Sequence, residues 1–257
     1  MNLLEAILSG VLQGLTEFLP VSSSGHLVLL HYYFGYKQPQ LLFDTFLHVG
    51  TLLAILVYFR KDIWLIFTKQ RYFLILILIG CIPTGIIGFL FEPFFRQAFV
   101  NIKLAGFMLI TTAIFLFCGD FGARLREHHP ETRSRLGIAK ALIIGTVQGV
   151  SALPGLSRSG ITISTALICQ VRKREAVRYS FLLAIPVIIG TLIFELNNLG
   201  SVKGIFIPQV IAGSLCSFLT GLVAIYYLIK AIIKDRLSLF GIYCFLAGAA
   251  VLIKVYI

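Results

Sequence analysis

Residues 13–26 read QGLTEFLPVSSSGH and interrupt an otherwise apolar N-terminal region. An apolar run, Ala6–Thr16, leads into this stretch, and a second run, Leu27–Tyr36, follows it. As helices, these runs are each about 15 to 16 Å long, which is about half of the 30 Å of hydrocarbon in a bilayer. The stretch therefore predicts two half-length helices joined by a polar break, which is typical of a re-entrant hairpin that lines a cavity.

A second region has the same organisation. The apolar run Ile138–Val150 is followed by a polar break, Pro154–Gly160, and by the apolar run Ile161–Cys169. At a constant offset of 135 positions, the two regions share seven identical residue pairs: Ala6 and Ala141, Gly10 and Gly145, Gln13 and Gln148, Gly14 and Gly149, Ser22 and Ser157, Ser24 and Ser159, Gly25 and Gly160. We therefore predict an internal repeat with a second re-entrant hairpin.

Six further apolar stretches are long enough to cross a membrane. They cover residues 41–59, 72–91, 102–118, 178–195, 205–229 and 237–257. The 257 residues are 58% hydrophobic and 13% charged, whereas a soluble domain carries about 25% charged residues. The composition excludes a separate water-soluble domain and predicts an all-α polytopic membrane protein.

The predicted architecture is a single membrane domain over residues 1–257. Each half has one hairpin and three full crossings, and an odd number of crossings inverts the second half relative to the first. We expect inverted repeats at about 1–118 and 138–257, joined by a cytoplasmic loop at about 119–137.

Positive charge orients this topology. Of the 22 Lys and Arg residues, 16 fall on one side and 5 on the other, with Arg158 left inside the second break. The positive-inside rule places the 16 in the cytoplasm, so both termini and the mouth of the first hairpin are expected outside. The basic residues lie in short loops rather than along one face with interleaved aromatic residues, which argues against a nucleic-acid partner despite the net charge of +11.

Ionisable residues at the two breaks are candidate functional groups. An ionisable side chain at the centre of a bilayer costs at least ~2.5 kcal/mol, so such residues usually face a cavity. Glu17 and His26 lie at the first break and Arg158 at the second. Because pseudo-symmetric hairpins meet at their tips, we expect Arg158 opposite Glu17, Ser23 and His26.

The hydroxyl-rich tips suit a phosphate or diphosphate. Arg158 offers a fork of donors, and the start of each following helix offers free backbone N–H groups. The predicted binding residues are Ser22, Ser24, Gly25, Ser157, Ser159, Gly160 and Thr162. The alternative is that the serines and glycines only cap and pack short helices, while Arg158 and Glu17 form a structural ion pair.

Two spacings indicate catalytic chemistry. Ser23 and His26 are three residues apart on one helical face, so the imidazole is a candidate general base for the hydroxyl. Gln13 and Glu17 are four residues apart, and Glu17 either orients the imidazole or binds a divalent cation with Gln13. A further pair, Asp44 and His48, is interpreted equally well as supporting this site or as interfacial.

The two breaks resemble the signature motifs of the bacterial undecaprenyl-diphosphatase family, also called bacitracin-resistance proteins, and the resemblance extends over essentially the whole chain. It implies hydrolysis of undecaprenyl diphosphate to the monophosphate and inorganic phosphate, which recycles the lipid carrier for cell-wall synthesis, and dependence on Mg²⁺ or Ca²⁺. Glu17 matches the second acid of the family motif, Ser23 the proposed nucleophile, His26 the histidine and Arg158 the phosphate-binding arginine. Gln13 occupies a position that is Glu or Gln in the family.

The resemblance also implies a protein of the bacterial plasma membrane. The charge-based topology makes it multi-pass and opens its active site to the extracytoplasmic side. In the expected reaction, Ser23 attacks the terminal phosphorus; activation of water by His26 is the alternative. A transporter of the polyprenyl phosphate is the rival class of function, because secondary carriers also have inverted repeats with broken helices. A carrier has no need of a Ser/His pair beside an acid. The oligomeric state is left open by the sequence.

Overall fold

The computed structural model describes residues 1–36, 38, 40–125, 135–197 and 207–256, and these form helices and connections without any strand. Helices are numbered in chain order. Six of them are long and apolar enough to cross a membrane: α3 (Leu41–Tyr58), α5 (Arg71–Leu90), α7 (Ile102–Leu125), α10 (Lys173–Asn197), α11 (Ile207–Ile233) and α12 (Leu237–Tyr256). The predicted all-α class and the six membrane spans are confirmed.

The two regions around the polar breaks each form a pair of short helices. They are α1 (Leu3–Phe18) with α2 (Ser23–Tyr33), and α8 (Ile138–Val150) with α9 (Arg158–Ile168). The two helices of each pair pack against each other. This arrangement is compatible with two re-entrant hairpins.

The first break follows from local sequence. Helix α1 starts with a capping box, in which Asn2 and Glu5 satisfy each other's backbone N–H groups. It ends at Leu19, which is extended because Pro20 follows it and a residue that precedes a proline disfavours helical geometry. Ser22 then adopts a positive φ of 71° and caps α2, so the chain reverses within four residues.

Two short helices were not predicted: α4 (Arg60–Thr68) and α6 (Glu92–Ala98), which connect the spans at opposite ends. Some predicted loop boundaries were also wrong. Helix α7 continues past residue 118 to Leu125, and α10 already begins at Lys173, because helices continue beyond the apolar segment when charged side chains are solvated there. Part of the predicted loop 119–137 and four of the basic residues used for orientation lie outside the described residues: Lys37, Arg126, Arg133 and Lys203.

Corresponding helices of the two halves pack in corresponding ways. Helix α1 lies against α11, and α8 lies against α5. At the first crossing, a Cβ added to Gly10 would overlap the Gly213 carbonyl oxygen; at the second, a Cβ added to Gly145 would overlap the Gly80 carbonyl oxygen. Gly10 and Gly145 are one of the seven pairs at offset 135. Small residues thus let the backbones approach closely at both crossings.

The interior and the outer surface are both apolar. Phe18, at the end of α1, meets the ring of Phe181 edge-on at 5.4 Å, and Phe59 packs on the same ring at 5.7 Å, which fixes the tip of the first hairpin against α10. On the outside, Phe89 is 76% and Trp64 71% exposed. So much exposed apolar surface is typical of a protein surrounded by lipid.

Candidate active site

The two polar breaks pack against each other. A Cβ added to Gly25, in the first turn of α2, would lie 3.0 Å from the Cα of Gly155 in the other break. A Cβ added to Gly160, in the first turn of α9, would lie 3.2 Å from the Cβ of Pro20. These two contacts are related by the offset of 135 positions, so each helix start meets the opposite break in the same way.

Glu17 is the centre of the cluster. Its Oε2 accepts hydrogen bonds from the Ser23 hydroxyl at 2.6 Å and from the Gln13 amide nitrogen at 3.0 Å, while its Oε1 accepts one from Nη2 of Arg158. Nε2 of His48 lies 3.5 Å from Oε2. Since the Glu17 side chain is only 6% exposed, nearly all of its solvation comes from these groups.

One hydrogen-bond donor of Arg158 is unpartnered among the described residues. Its side chain is 15% exposed, and its Nη2 is engaged with Glu17. Its other terminal nitrogen, Nη1, is buried and has no hydrogen-bond partner among the described residues. A buried guanidinium nitrogen without a partner is costly, and an oxyanion placed there would satisfy it with a charge-assisted hydrogen bond.

Matched serine caps hold the two helix starts. The Ser22 hydroxyl accepts a hydrogen bond from the backbone N–H of Gly25 at 3.2 Å, and the Ser157 hydroxyl accepts one from Gly160 at 3.1 Å. These residues therefore have the capping role of the alternative interpretation at the same time as they shape the helix N-termini.

The other predicted hydroxyls differ in their surroundings. Ser24 and Ser159 each lie beside the capping serine of their own helix, with 3.4 and 3.3 Å between the oxygens. Thr162 is fully buried; it donates to the Arg158 carbonyl oxygen at 2.7 Å and its hydroxyl lies 2.6 Å from that of Ser180. Thr162 therefore supports the first turn of α9 from within the protein.

The structure does not join His26 to Ser23. Nδ1 of His26 lies 2.7 Å from the Ser22 carbonyl oxygen, and Nε2 lies 2.6 Å from the hydroxyl of Tyr243 in α12, whose ring stacks on the imidazole at 5.7 Å. Both ring nitrogens are thus engaged. Ser23 contacts Glu17 instead, so Glu17 is the base within hydrogen-bond reach of the serine hydroxyl.

Comparison with known proteins agrees with this geometry. The family model described as bacitracin resistance protein BacA matches residues 6–250. The chain belongs to this family. It is 41% identical to the undecaprenyl-diphosphatase of Halothermothrix orenii over 98% of both chains, and 42% identical to that of Syntrophotalea carbinolica over 96% of this chain and 97% of the relative. A further relative of the same name, from Korarchaeum cryptofilum, is 37% identical over 98% of this chain and 99% of its own.

Two neighbours of the site in this BacA-family protein were missed or left undecided by the sequence. Tyr243 gave no signal, because it lies in a uniformly apolar helix far along the chain from His26. For His48 the sequence left two interpretations, a residue that supports the site or an interfacial one, and the structure places it beside Glu17. Its neighbour Asp44 is instead 3.7 Å from His31, which is buried at 5% exposure.

Gln13 bears on the implied divalent cation. The described residues contain no group of three or more His, Cys, Asp and Glu side chains that could hold a metal ion. The Oε1 atom of Gln13 is nevertheless buried without a hydrogen-bond partner among them, while Nε2 of the same amide donates to Glu17. One carboxylate and one amide oxygen suit a hard cation that takes its remaining ligands from phosphate and water, provided that the Gln13 amide turns its oxygen toward Glu17.

Proposed function

We propose that this protein hydrolyses undecaprenyl diphosphate to undecaprenyl phosphate and inorganic phosphate, which recycles the lipid carrier of peptidoglycan synthesis and confers bacitracin resistance. The full-length relatives named undecaprenyl-diphosphatase support the substrate. The observation that carries the chemistry is the unpartnered Nη1 of Arg158 beside the Glu17–Ser23 pair. It provides an anion-binding donor next to a hydroxyl that already has a base.

Substrate binding requires the ion pair to rearrange. In the structure Glu17 neutralises Arg158, and the diphosphate brings a larger negative charge to the same guanidinium. Arg158 would bind the terminal phosphate through both terminal nitrogens, and the starts of α2 and α9 would add backbone N–H groups. The polyprenyl tail stays in the bilayer because the outer surface of the helices is apolar.

In the proposed reaction, the Ser23 oxygen attacks the terminal phosphorus and its proton passes to Glu17. The bond between that phosphorus and the bridging oxygen breaks, Glu17 passes the proton to the leaving oxygen, and undecaprenyl phosphate leaves while a phosphoserine remains. Water then hydrolyses the phosphoserine to release inorganic phosphate and restore the hydroxyl. Arg158 stabilises the charge on the transferring group, which is the main demand of phosphoryl transfer.

The first proton transfer, from Ser23, is assigned to Glu17 and not to His26. To reach Ser23 it would have to leave Tyr243, whereas Glu17 already accepts the Ser23 hydrogen bond at 2.6 Å. The two candidate nucleophiles remain the Ser23 hydroxyl and a water activated by His26. The direct contact between Ser23 and Glu17 favours the serine.

A divalent cation, Mg²⁺ or Ca²⁺, would be held by Glu17 and Gln13. Its chemistry would be to neutralise phosphate charge. Gln13 orients Glu17 through its amide nitrogen in the structure, and its buried, unpartnered oxygen would become a ligand once the amide turns over.

The protein would lie in the bacterial plasma membrane with both termini and the mouth of the active site outside. The excess of basic residues at one end of the spans supports this orientation. Cysteine labelling in a variant without its five native cysteines tests it: Lys103→Cys should react with an impermeant reagent added outside intact cells, and Lys61→Cys only after lysis. Reaction of both from outside would contradict the orientation.

Phosphate release by the purified protein in detergent tests the function. A phosphatase releases inorganic phosphate from undecaprenyl diphosphate without any gradient, whereas a carrier of the lipid phosphate does not. If the folded protein releases no phosphate with Mg²⁺ or Ca²⁺ present, the enzyme assignment is wrong and the carrier function is favoured.

A further inference from the structure

A cavity of about 930 Å³ lies away from the two polar breaks. Its walls come from the last turns of α2, from α6 and the start of α7, and from the last turns of α12. Its lining includes Leu29, Tyr33, Phe94, Lys103, Val251 and Lys254.

The cavity lies at the membrane surface and apart from the reaction. Lys103 is the second residue of span α7, and Lys254 is in the last turn of span α12. Tyr33, which contacts Lys254, ends α2 ten residues after Ser23, so this end of the cavity is about 15 Å along that helix from the proposed nucleophile. The apolar wall at Leu29 comes within about 9 Å of Ser23 along the same helix. A phosphate held between Lys103 and Lys254 is therefore too far from Ser23 to react.

Two lysines make the cavity electropositive. The Lys254 ammonium donates to the Tyr33 hydroxyl at 2.9 Å and lies 4.5 Å from the centre of that ring. The Lys103 ammonium lies 4.5 Å from the ring centre of Tyr256. No salt bridge within the described part of the chain involves either lysine, and the lining residues include no carboxylate.

The remaining walls are apolar. Leu29, Val251 and Phe94 line the cavity, and Phe94 is 54% exposed. An apolar groove with two ammonium groups at its rim is complementary to a molecule that has an anionic head and hydrocarbon chains.

We propose that this cavity binds an anionic glycerophospholipid, with its phosphate between Lys103 and Lys254 and its acyl chains along Leu29 and Val251. The two lysines lie on different spans and Tyr33 on a hairpin helix, so one lipid would connect α2, α7 and α12. The phospholipid is favoured over the substrate lipid because the two lysines that would hold its phosphate are remote from Ser23.

A tryptophan reporter can detect this lipid, because Trp64 is the single tryptophan of the chain. The reporter protein carries Trp64→Phe and Phe94→Trp, so all of its indole fluorescence comes from the cavity wall. In mixed micelles, brominated phosphatidylglycerol should quench this fluorescence at a mole fraction about five-fold lower than brominated phosphatidylcholine, since each lysine contributes attraction to an anionic head group. Adding Lys103→Gln with Lys254→Gln should abolish this preference.

A matched control removes the same charge elsewhere. Lys61→Gln with Lys69→Gln, both exposed at the opposite end of the spans, should keep the preference for phosphatidylglycerol. Equal quenching by the two lipids in the reporter protein would overturn the proposal. Relief of quenching by polyprenyl phosphate at a far lower mole fraction than by unlabelled phosphatidylglycerol would also overturn it and assign the cavity to the substrate lipid.

Native mass spectrometry gives a second measurement that does not depend on the reporter substitutions. The unmodified protein should retain one more phosphatidylglycerol than the Lys103→Gln/Lys254→Gln variant. Equal retention by the two proteins would count against the site.

Discussion

Arg158 and Glu17, 141 positions apart in the sequence, form a buried ion pair that joins the start of α9 to the end of α1. The pair is the one ionic link between the two polar breaks among the described residues. It keeps the guanidinium in place while one of its nitrogens is still free for a ligand.

Replacing Arg158 by lysine should lower kcat/KM about 10- to 100-fold, since lysine keeps the charge but loses the second donor to phosphate. Steady-state assays of phosphate release measure this. Arg96→Lys is the matched control, because Arg96 also forms ion pairs, with Glu92 and Glu195, but outside the site. Full activity of Arg158→Lys would show that a bidentate contact is not used.

Removing the Ser23 hydroxyl should lower kcat about 10³-fold or more, as expected when a nucleophile is lost. Labelled substrate should also leave phosphate on Ser23 of the unmodified protein after rapid acid quenching. Ser214→Ala is the control, because this hydroxyl donates to the Phe46 carbonyl oxygen at 2.8 Å, outside the site. If Ser23→Ala keeps most of its activity, water activated by another residue is the nucleophile.

Tyr243→Phe should lower kcat about 10-fold with little change in KM, because the phenol fixes the imidazole of His26 through a 2.6 Å hydrogen bond. Thermal unfolding should show a loss of only about 1 kcal/mol, the net value of one hydrogen bond. Tyr226→Phe, on α11, is the control and should leave kcat unchanged. Unchanged kcat in Tyr243→Phe, alongside an inactive His26→Gln, would separate the role of the histidine from its tyrosine contact.

Gln13→Glu should make the protein depend more strongly on a divalent cation. The substitution replaces the amide donor to Glu17 with a second carboxylate, so the two acids repel each other until a cation binds. We expect several-fold tighter Mg²⁺ binding in activity titrations and a lower melting temperature in EDTA. Stability in EDTA equal to that of the unmodified protein would argue against a cation at Glu17.

The pairing of Arg158 with Glu17 could be predicted from the sequence alone. The seven identical pairs at an offset of 135 positions marked the two polar breaks as related, and the expectation that related breaks meet put Arg158 opposite Glu17. The lengths of the apolar runs were enough to predict the six spans, since bilayer thickness sets a minimum length for a membrane-spanning helix.

The contacts of Ser23 and His26 could not be predicted because they depend on rotation of α2 about its axis. That rotation is set by the strained turn at Ser22, with its φ of 71°, which turns the Ser23 hydroxyl toward Glu17 and the His26 ring toward Tyr243. Spacing along a helix places Ser23 and His26 on one face but does not say which neighbour each one meets.

The close helix contacts at Gly10 and Gly145 predict that the two halves lose similar stability when either glycine is enlarged. Gly10→Ala and Gly145→Ala should each destabilise the protein by about 1–3 kcal/mol, because the new methyl group would meet a backbone carbonyl that cannot move aside. Gly85→Ala is the control in α5, where a Cβ would have no neighbour within 4 Å, and helix propensity should make it neutral or stabilising by about 0.5–1 kcal/mol. Thermal unfolding in detergent compares all three. Loss of stability in only one of the two crossings would show that the related halves do not depend equally on close packing.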